Sequence, residues 1–215
     1  MPVPGRSYSQ QAKGRTHKPT RQREHISYRA CLRLEFAYTC AYCLSLEAEV
    51  AAGAVHGLFE VEHFKPVARF GSLRTIYTNL LWSCRACNLA KSSTWPDPTE
   101  EARGERWVDP TVEALGSHLS LTGDSVQALS AAGDYMIDEL NLNSQEHRTR
   151  RQDREKALAL WQALQSAIAV GISDPTEKAA MEEEAQRCLE LVLGTREPWD
   201  PELACVCKPQ LPAPG

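Results

Sequence analysis

The apolar pattern divides the chain into a mixed first part and a helical second part. Residues 57–64, GLFEVEHF, alternate between apolar and polar positions and are rich in β-forming residues, which predicts a strand. Residues 79–84, NLLWSC, predict its hairpin partner after a loop around Gly71. We expect one helix capped by Ser27 and a short one from Asn88. These elements predict a small α+β core.

The later sequence is dominated by helical periodicity. The segment 96–106, PDPTEEARGER, has the composition of a linker. Asn143 and Glu146 form a capping-box pattern ahead of one long amphipathic helix, and Asp174 starts another. The resulting divisions are a basic flexible arm at 1–26, a core at 27–95, a helical extension at 96–200 and a loose tail at 201–215.

Composition narrows the class of protein. With 215 residues and 42% hydrophobic content, the chain can bury a core. The opening residues contain no apolar segment typical of a leader, and no run resembles a membrane span, so we expect a cytoplasmic protein. The segment from Met1 to Arg33 contains eight basic residues and one acidic residue, Glu24, although the net charge of the whole chain is −4. Such a basic arm is typical of segments that bind a polyanion such as nucleic acid. The alternative is a solvated tail that binds nothing.

Four of the eight cysteines form two CxxC pairs, namely Cys40 with Cys43 and Cys84 with Cys87. The duplicated spacing predicts one tetrahedral zinc ion held by four thiolates. Such a site has no open position, so we expect this zinc to be structural. The alternative is ordinary buried cysteines. Among the others, Cys31 and Cys188 lie on predicted apolar helix faces and are interpreted as core residues. Cys205 and Cys207 are too close together for an ordinary metal-binding pair and lie in the predicted tail.

Polar residues that could support hydrolysis lie between and just after these pairs. Glu62 and His63 end the first predicted strand, where adjacent side chains face opposite ways, so one can hold a metal while the other addresses water. Asn88 and Lys91 are three residues apart on the predicted short helix and share a face. The alternatives are that His63 is a structural histidine, that Glu60 is merely exposed on the strand, and that Lys91 is an ordinary surface lysine. His56, His118 and His147 have no partner in the sequence and are interpreted as structural.

Several of these segments resemble the HNH nuclease family. They are CAYC, EVEHFKP, TNLLWSCRACNLAKS and the following WP, which together cover about residues 38–95. The resemblance implies a ββα-metal core with a zinc-bound four-cysteine site. WVDPTVEALGSHLSL and YMIDELNLNSQEHRTRR are also similar to the C-terminal extension of a bacterial HNH subgroup, some members of which act in anti-phage defence beside an ATPase.

The resemblance also implies roles for particular residues. His63 would be the general base, while Glu62 and Asn88 would hold a catalytic divalent ion, Mg²⁺ or Mn²⁺. Asn79 would tether the loop and orient the base. Lys91, Lys65 and Arg85 would contact phosphates. Glu62 stands where the family usually has aspartate, and Asn88 where many relatives have histidine.

The expected function is therefore a metal-dependent endonuclease acting on DNA. The alternative is a non-catalytic zinc module that binds nucleic acid or a partner protein. The C-terminal helices carry amphipathic faces that need cover, which predicts self-association or a partner protein, an ATPase being the partner that the resemblance suggests.

Overall fold

A computed structural model of the chain describes residues 7–47, 59–172, 174–193 and Cys207. The helices are α1 (Arg29–Glu35), α2 (Arg85–Lys91), α3 (Pro98–Ala102), α4 (Ala131–Glu139), α5 (Gln145–Val170) and α6 (Pro175–Leu193). The strands are β1 (Phe59–His63), β2 (Leu80–Cys84), β3 (Leu119–Thr122) and β4 (Ser125–Ala128). Short 3₁₀ turns occur at His25–Tyr28, Gly71–Leu73, Tyr77–Asn79 and Leu115–Ser117.

The predicted hairpin and short helix form a ββα unit. Strands β1 and β2 pair antiparallel, with Phe59 opposite Cys84 and His63 opposite Leu80. Every residue of β2 is buried, and the rings of Phe59 and Trp82 stack at 5.7 Å. Helix α2 follows β2 directly, three residues before the predicted start at Asn88. The fold class is α+β, with a ββα-metal core followed by a largely helical extension.

The N-terminal segment differs from the predicted flexible arm. Within the described residues 7–26, Tyr8 is buried and Arg15 reaches the core. The Arg15 guanidinium donates to Glu35 Oε2 at 2.9 Å and to the carbonyl of Leu80 at 2.7 Å. The backbone N–H of Thr16 donates to Glu35 Oε1 at 2.8 Å. Glu35 is itself buried, and a buried carboxylate requires such donors, so this segment is fixed to the core.

Ser27 does not cap α1 as predicted. That helix begins at Arg29, after a 3₁₀ turn, and has no side-chain cap. The predicted linker 96–106 also contains a helix, α3, because Asp97 and Glu100 form a capping box around Pro98. In the linker, a short polar segment gains order from the local hydrogen bonds of this capping box.

The extension contains a second hairpin that the periodicity missed. Strands β3 and β4 are four residues each and turn at Gly123, where φ is +59°, a conformation that favours glycine. Asn143 pairs with this hairpin instead of capping a helix: its Oδ1 accepts from Val126 N at 2.8 Å and its Nδ2 donates to Val126 O at 2.9 Å. Ser144 caps α5 through the N–H of His147.

Helices α5 and α6 pack against each other, and the first half of α5 also packs on the core. Leu158 of α5 and Ala185 and Cys188 of α6 are buried, whereas Leu160 stays 44% exposed and Val170 89% exposed. Self-association through these helices stays a prediction. No helix in the described ranges is long and apolar enough to cross a membrane. The predicted loose tail 201–215 lies outside the described residues except for Cys207, which packs against the core.

Candidate functional site

The four cysteines of the two CxxC pairs converge on one point. We call Cys40, Cys43, Cys84 and Cys87 the cysteine cradle. All four are buried, and their Sγ atoms lie within 4.8 Å of one another. The N–H of Ala41 donates to Trp82 O at 2.8 Å, which ties the first pair to β2, and the second pair straddles the junction of β2 and α2. The turns that carry the two CxxC pairs therefore meet, and their four sulfur atoms lie around one point.

The cradle fits a zinc ion. Cys43 Sγ and Cys84 Sγ are 3.6 Å apart, and a tetrahedral ion with Zn–S bonds of about 2.3 Å would separate them by about 3.8 Å. Although burial opposes ionisation, hydrogen bonds from the neighbouring cysteines and from His147 lower the pKa of Cys43 well below its usual range. Hydrogen bonds from Cys40 and Cys43 raise the pKa of Cys84 and of Cys87. Four thiolates this close together need a cation between them. The four buried sulfur atoms would fill all four coordination positions of a zinc ion.

Helix α5 covers the cradle. His147 Nε2 lies 3.9 Å from Cys87 Sγ, and His147 is buried. The Arg154 guanidinium donates to the carbonyl of Leu44 at 3.0 Å, next to Cys43. We interpreted His147 as a structural histidine but did not predict its contact with the cradle. No spacing in the sequence links His147 to a cysteine sixty residues away. The extension is thus part of the surroundings of the zinc site.

His63 lies at the end of β1 and is partly buried. Its Nε2 is 2.9 Å from the carbonyl oxygen of Arg74. Since a carbonyl only accepts, Nε2 carries the proton, and the lone pair of the neutral ring is on Nδ1. Burial, and then the positive charges around it, lower the pKa of His63 below its usual 6.5, while the Arg74 carbonyl opposes this shift. The ring is therefore neutral near pH 7 and able to accept a proton.

His25 is a neighbour of His63 that the sequence interpretation missed. Their ring centroids are 4.7 Å apart with planes at 54°. Burial and the nearby Arg74 charge lower the pKa of His25 as well. His25 falls inside the range assigned to a flexible arm, so no sequence pattern placed it at the site. The segment assigned to the arm therefore contributes a side chain to this end of the hairpin.

Glu62 and Lys91 form a buried ion pair. The Lys91 Nζ is 2.6 Å from Glu62 Oε1, and the two side chains are 0% and 4% exposed. Lys91 also donates to the carbonyl of His63 at 3.0 Å. Burial raises the pKa of Glu62, and the Lys91 ammonium only partly offsets this effect. In this arrangement the Lys91 ammonium is inside the protein and already paired with Glu62, so its predicted phosphate contact stays a prediction.

Asn88 contacts Glu60, whereas we predicted that it would share a metal with Glu62. The Asn88 amide nitrogen donates to a carboxylate oxygen of Glu60, and the exposed Arg85 lies 3.6 Å from the other oxygen. Alternation along β1 places Glu60 and Glu62 on one face, which is the sequence pattern that could have identified Glu60. Carboxylate and amide oxygens are donors that suit a hard ion such as Mg²⁺, which uses one or two carboxylates and retains water.

Asn79 holds the loop that follows His63. Its Oδ1 accepts from the N–H of Lys65 at 2.9 Å, and its Nδ2 donates to the carbonyl of Lys65 at 3.1 Å. A buried amide that satisfies both backbone groups of one residue fixes the backbone just after His63. The Lys65 ammonium lies over the rings of Phe70 and Trp95 at 5.6 and 5.9 Å and remains partly exposed.

A hairpin, a following helix and a buried cysteine cradle at their junction define a ββα-metal domain with a zinc site. Residues 40–94 match the HNH endonuclease family. The family consists generally of metal-dependent nucleases that act on DNA. The match covers about a quarter of the chain and ends before α3. No curated protein and no solved structure matches the sequence.

Proposed function

We propose that the chain is an endonuclease that hydrolyses phosphodiester bonds of DNA with His63 as the general base. The observation that carries this proposal is the state of the His63 ring. Its Nε2 proton is held by the Arg74 carbonyl, its Nδ1 is the acceptor, and its pKa is lowered. A neutral imidazole that is fixed in one tautomer can take a proton from an attacking water.

The residues around the base have complementary tasks. His63 would accept the water proton at Nδ1, and Asn79 would keep the neighbouring loop, and so the ring, in place through its two bonds to Lys65. Glu60, Glu62 and Asn88 would hold a divalent ion. When bound, such an ion stabilises the charge of the phosphorane and of the leaving oxygen. The contacts of Glu62 with Lys91 and of Asn88 with Glu60 would have to rearrange to admit it.

Phosphate contacts fall to other cations than Lys91. Arg85 is 57% exposed and lies beside Glu60, and Arg74 is 58% exposed beside His63. Lys65 follows the base by two residues and is partly exposed. A guanidinium can contact two phosphate oxygens at once, which favours the two arginines as anchors of the DNA backbone.

A non-catalytic zinc module remains the second candidate. The observation that favours it is that both predicted metal ligands already have protein partners, Lys91 for Glu62 and Glu60 for Asn88. Such a protein would bind nucleic acid through Arg85 and Arg74 and would show no metal-dependent cleavage. The two candidates therefore differ in one measurable property.

Cleavage of supercoiled plasmid DNA separates the candidates. We expect the purified chain to nick plasmid with Mg²⁺ or Mn²⁺, and His63→Ala to lose a factor of about 10² or more while it keeps its zinc and its affinity for DNA. His118→Ala is the matched control, because His118 bonds Ser130 and Glu113 instead of the site. Full cleavage by folded His63→Ala protein would refute the assignment. Absence of cleavage by the wild type with both metals would support the binding module.

The metal ligands are tested by a matched pair of variants. If Glu60 and Asn88 hold the ion, Glu60→Gln should reduce cleavage and raise the Mg²⁺ concentration needed for half-maximal rate. If Glu62 is released from Lys91 by the ion, Glu62→Gln should do the same. Unchanged metal dependence in either variant removes that residue from the ligand set.

Three further proposals rest on the sequence alone. An anti-phage role and an ATPase partner follow from the similarity of residues 107–121 and 135–151 to one bacterial subgroup. Self-association follows from the amphipathic helices. Affinity purification of the tagged chain from its host, with mass spectrometry of the bound proteins, tests the partner, and sedimentation velocity tests the assembly.

A further inference from the structure

A second group of metal-binding side chains lies apart from the cysteine cradle. His17, Cys31 and Cys207 place one ligand atom each within 4.8 Å of the others. Cys31 Sγ and Cys207 Sγ are 3.2 Å apart, and no disulfide joins the two cysteines. Cys31 is fully buried, and the other two residues are partly buried. Within the described residues, this group and the cradle are the two sets of at least three His, Cys, Asp or Glu side chains positioned to hold a metal.

The position of His17 is fixed by a neighbour of Cys31 on α1. Cys31 and Glu35 are four residues apart and share a helix face. Glu35 Oε1 accepts the backbone N–H of His17 at 3.0 Å and that of Thr16 at 2.8 Å. Arg15 completes the attachment through Glu35 Oε2 at 2.9 Å. The buried carboxylate therefore holds the N-terminal segment so that the His17 imidazole meets the thiol one turn away.

The third ligand comes from the far end of the chain. Cys207 is separated from Cys31 by 176 positions, yet it packs against the core at this point. The predicted loose tail thus has one residue at a defined place, and that residue is a cysteine beside a cysteine and a histidine. Loop closure over so long an interval costs conformational entropy, which a metal–thiolate bond can offset.

We propose that His17, Cys31 and Cys207 bind a second zinc ion that fastens the C-terminal tail to the N-terminal segment. Two thiolates and one imidazole are ligands that zinc prefers, and the two thiolates neutralise its charge. On binding, each thiol releases its proton to solvent and His17 coordinates through a neutral ring nitrogen. Three protein ligands leave the fourth position to water. The proposal is independent of the nuclease activity and of the cradle.

The test measures zinc and thiols on the full-length protein. The reduced protein is saturated with zinc chloride, freed of excess by gel filtration, and analysed by elemental mass spectrometry. We expect two zinc ions per wild-type chain, and one in Cys207→Ser, whose substitution lies in the tail. The zinc content of His17→Ala should also fall toward one ion per chain. This variant replaces Cys207→Ser in the test if Cys207→Ser does not fold. Cys188→Ala is the matched control, because Cys188 is buried on α6 and belongs to neither group, so it should keep two.

Titration of thiols distinguishes the metal from a disulfide. After denaturation with a chelator and without reductant, the zinc-bound protein should present all eight cysteines as thiols. Six thiols and one zinc per chain would indicate a Cys31–Cys207 disulfide and overturn the proposal. One zinc with eight thiols in the wild type, or two zincs in both Cys207→Ser and His17→Ala, would overturn it as well.

Discussion

Replacement of Lys91 by methionine tests whether this lysine serves the interior or the substrate. Methionine has similar volume but no charge, so the variant leaves the Glu62 carboxylate buried without its partner at 2.6 Å. It also removes the bond to the His63 carbonyl at 3.0 Å. Breaking a buried ion pair by removing one partner costs about 3–5 kcal/mol, a large part of the total stability of about 5–15 kcal/mol.

Urea unfolding followed by tryptophan fluorescence measures this cost. With saturating zinc and a slope of about 2 kcal/mol per molar, the midpoint of Lys91→Met should fall by about 1.5–2.5 M. Arg85→Met is the matched control on the same helix, because its side chain is 57% exposed, and its midpoint should change by less than about 0.3 M. The double variant Glu62→Leu with Lys91→Met should recover most of the loss. Equal midpoints for Lys91→Met and the wild type would refute the buried pair.

Three further predictions follow from other contacts. The lowered pKa of His63 means that, if His63 is the general base, the pH of half-maximal cleavage of plasmid DNA should lie below the usual histidine pKa of 6.5; half-maximal cleavage above pH 6.5 would contradict this. Glu35→Ala removes the carboxylate that accepts three hydrogen bonds from the N-terminal segment. Tryptic cleavage after Arg15 should therefore accelerate at least about tenfold, which corresponds to the loss of one charge-assisted hydrogen bond of about 1.5 kcal/mol. An unchanged cleavage rate would show that Glu35 does not anchor this segment. His147→Ala removes the imidazole 3.9 Å from Cys87 Sγ and should weaken zinc binding by about 10–100-fold in competition with a chelator, whereas equal affinity would show that α5 leaves the cradle unaffected.

The helical extension shows how far periodicity alone can predict. It located α5 and α6, whose long amphipathic stretches repeat over many turns. It missed β3 and β4, because four-residue strands are too short for a period of two to stand out. Asn143 illustrates the same limit: its capping-box pattern is real in the sequence, but the amide satisfies the backbone of Val126, a contact that exists only once the hairpin has formed.

The sequence by itself determined the ββα core and the cysteine cradle. Both depend on local rules, namely alternation along a strand, the length of a hairpin and the spacing of two ligands on one turn. It also singled out His63, which the strand pattern places at the end of β1. These features need little knowledge of distant residues.

Only the tertiary structure decided which polar groups meet. Lys91 and Arg85 both follow β2 on α2, yet one is buried against Glu62 and the other is exposed. His25, His147 and Cys207 reach their partners from segments predicted as an arm, an extension and a tail. The physical reason is that burying a charged or polar group requires a partner from whichever segment the fold brings near, and that choice depends on packing across the chain, not on spacing along it.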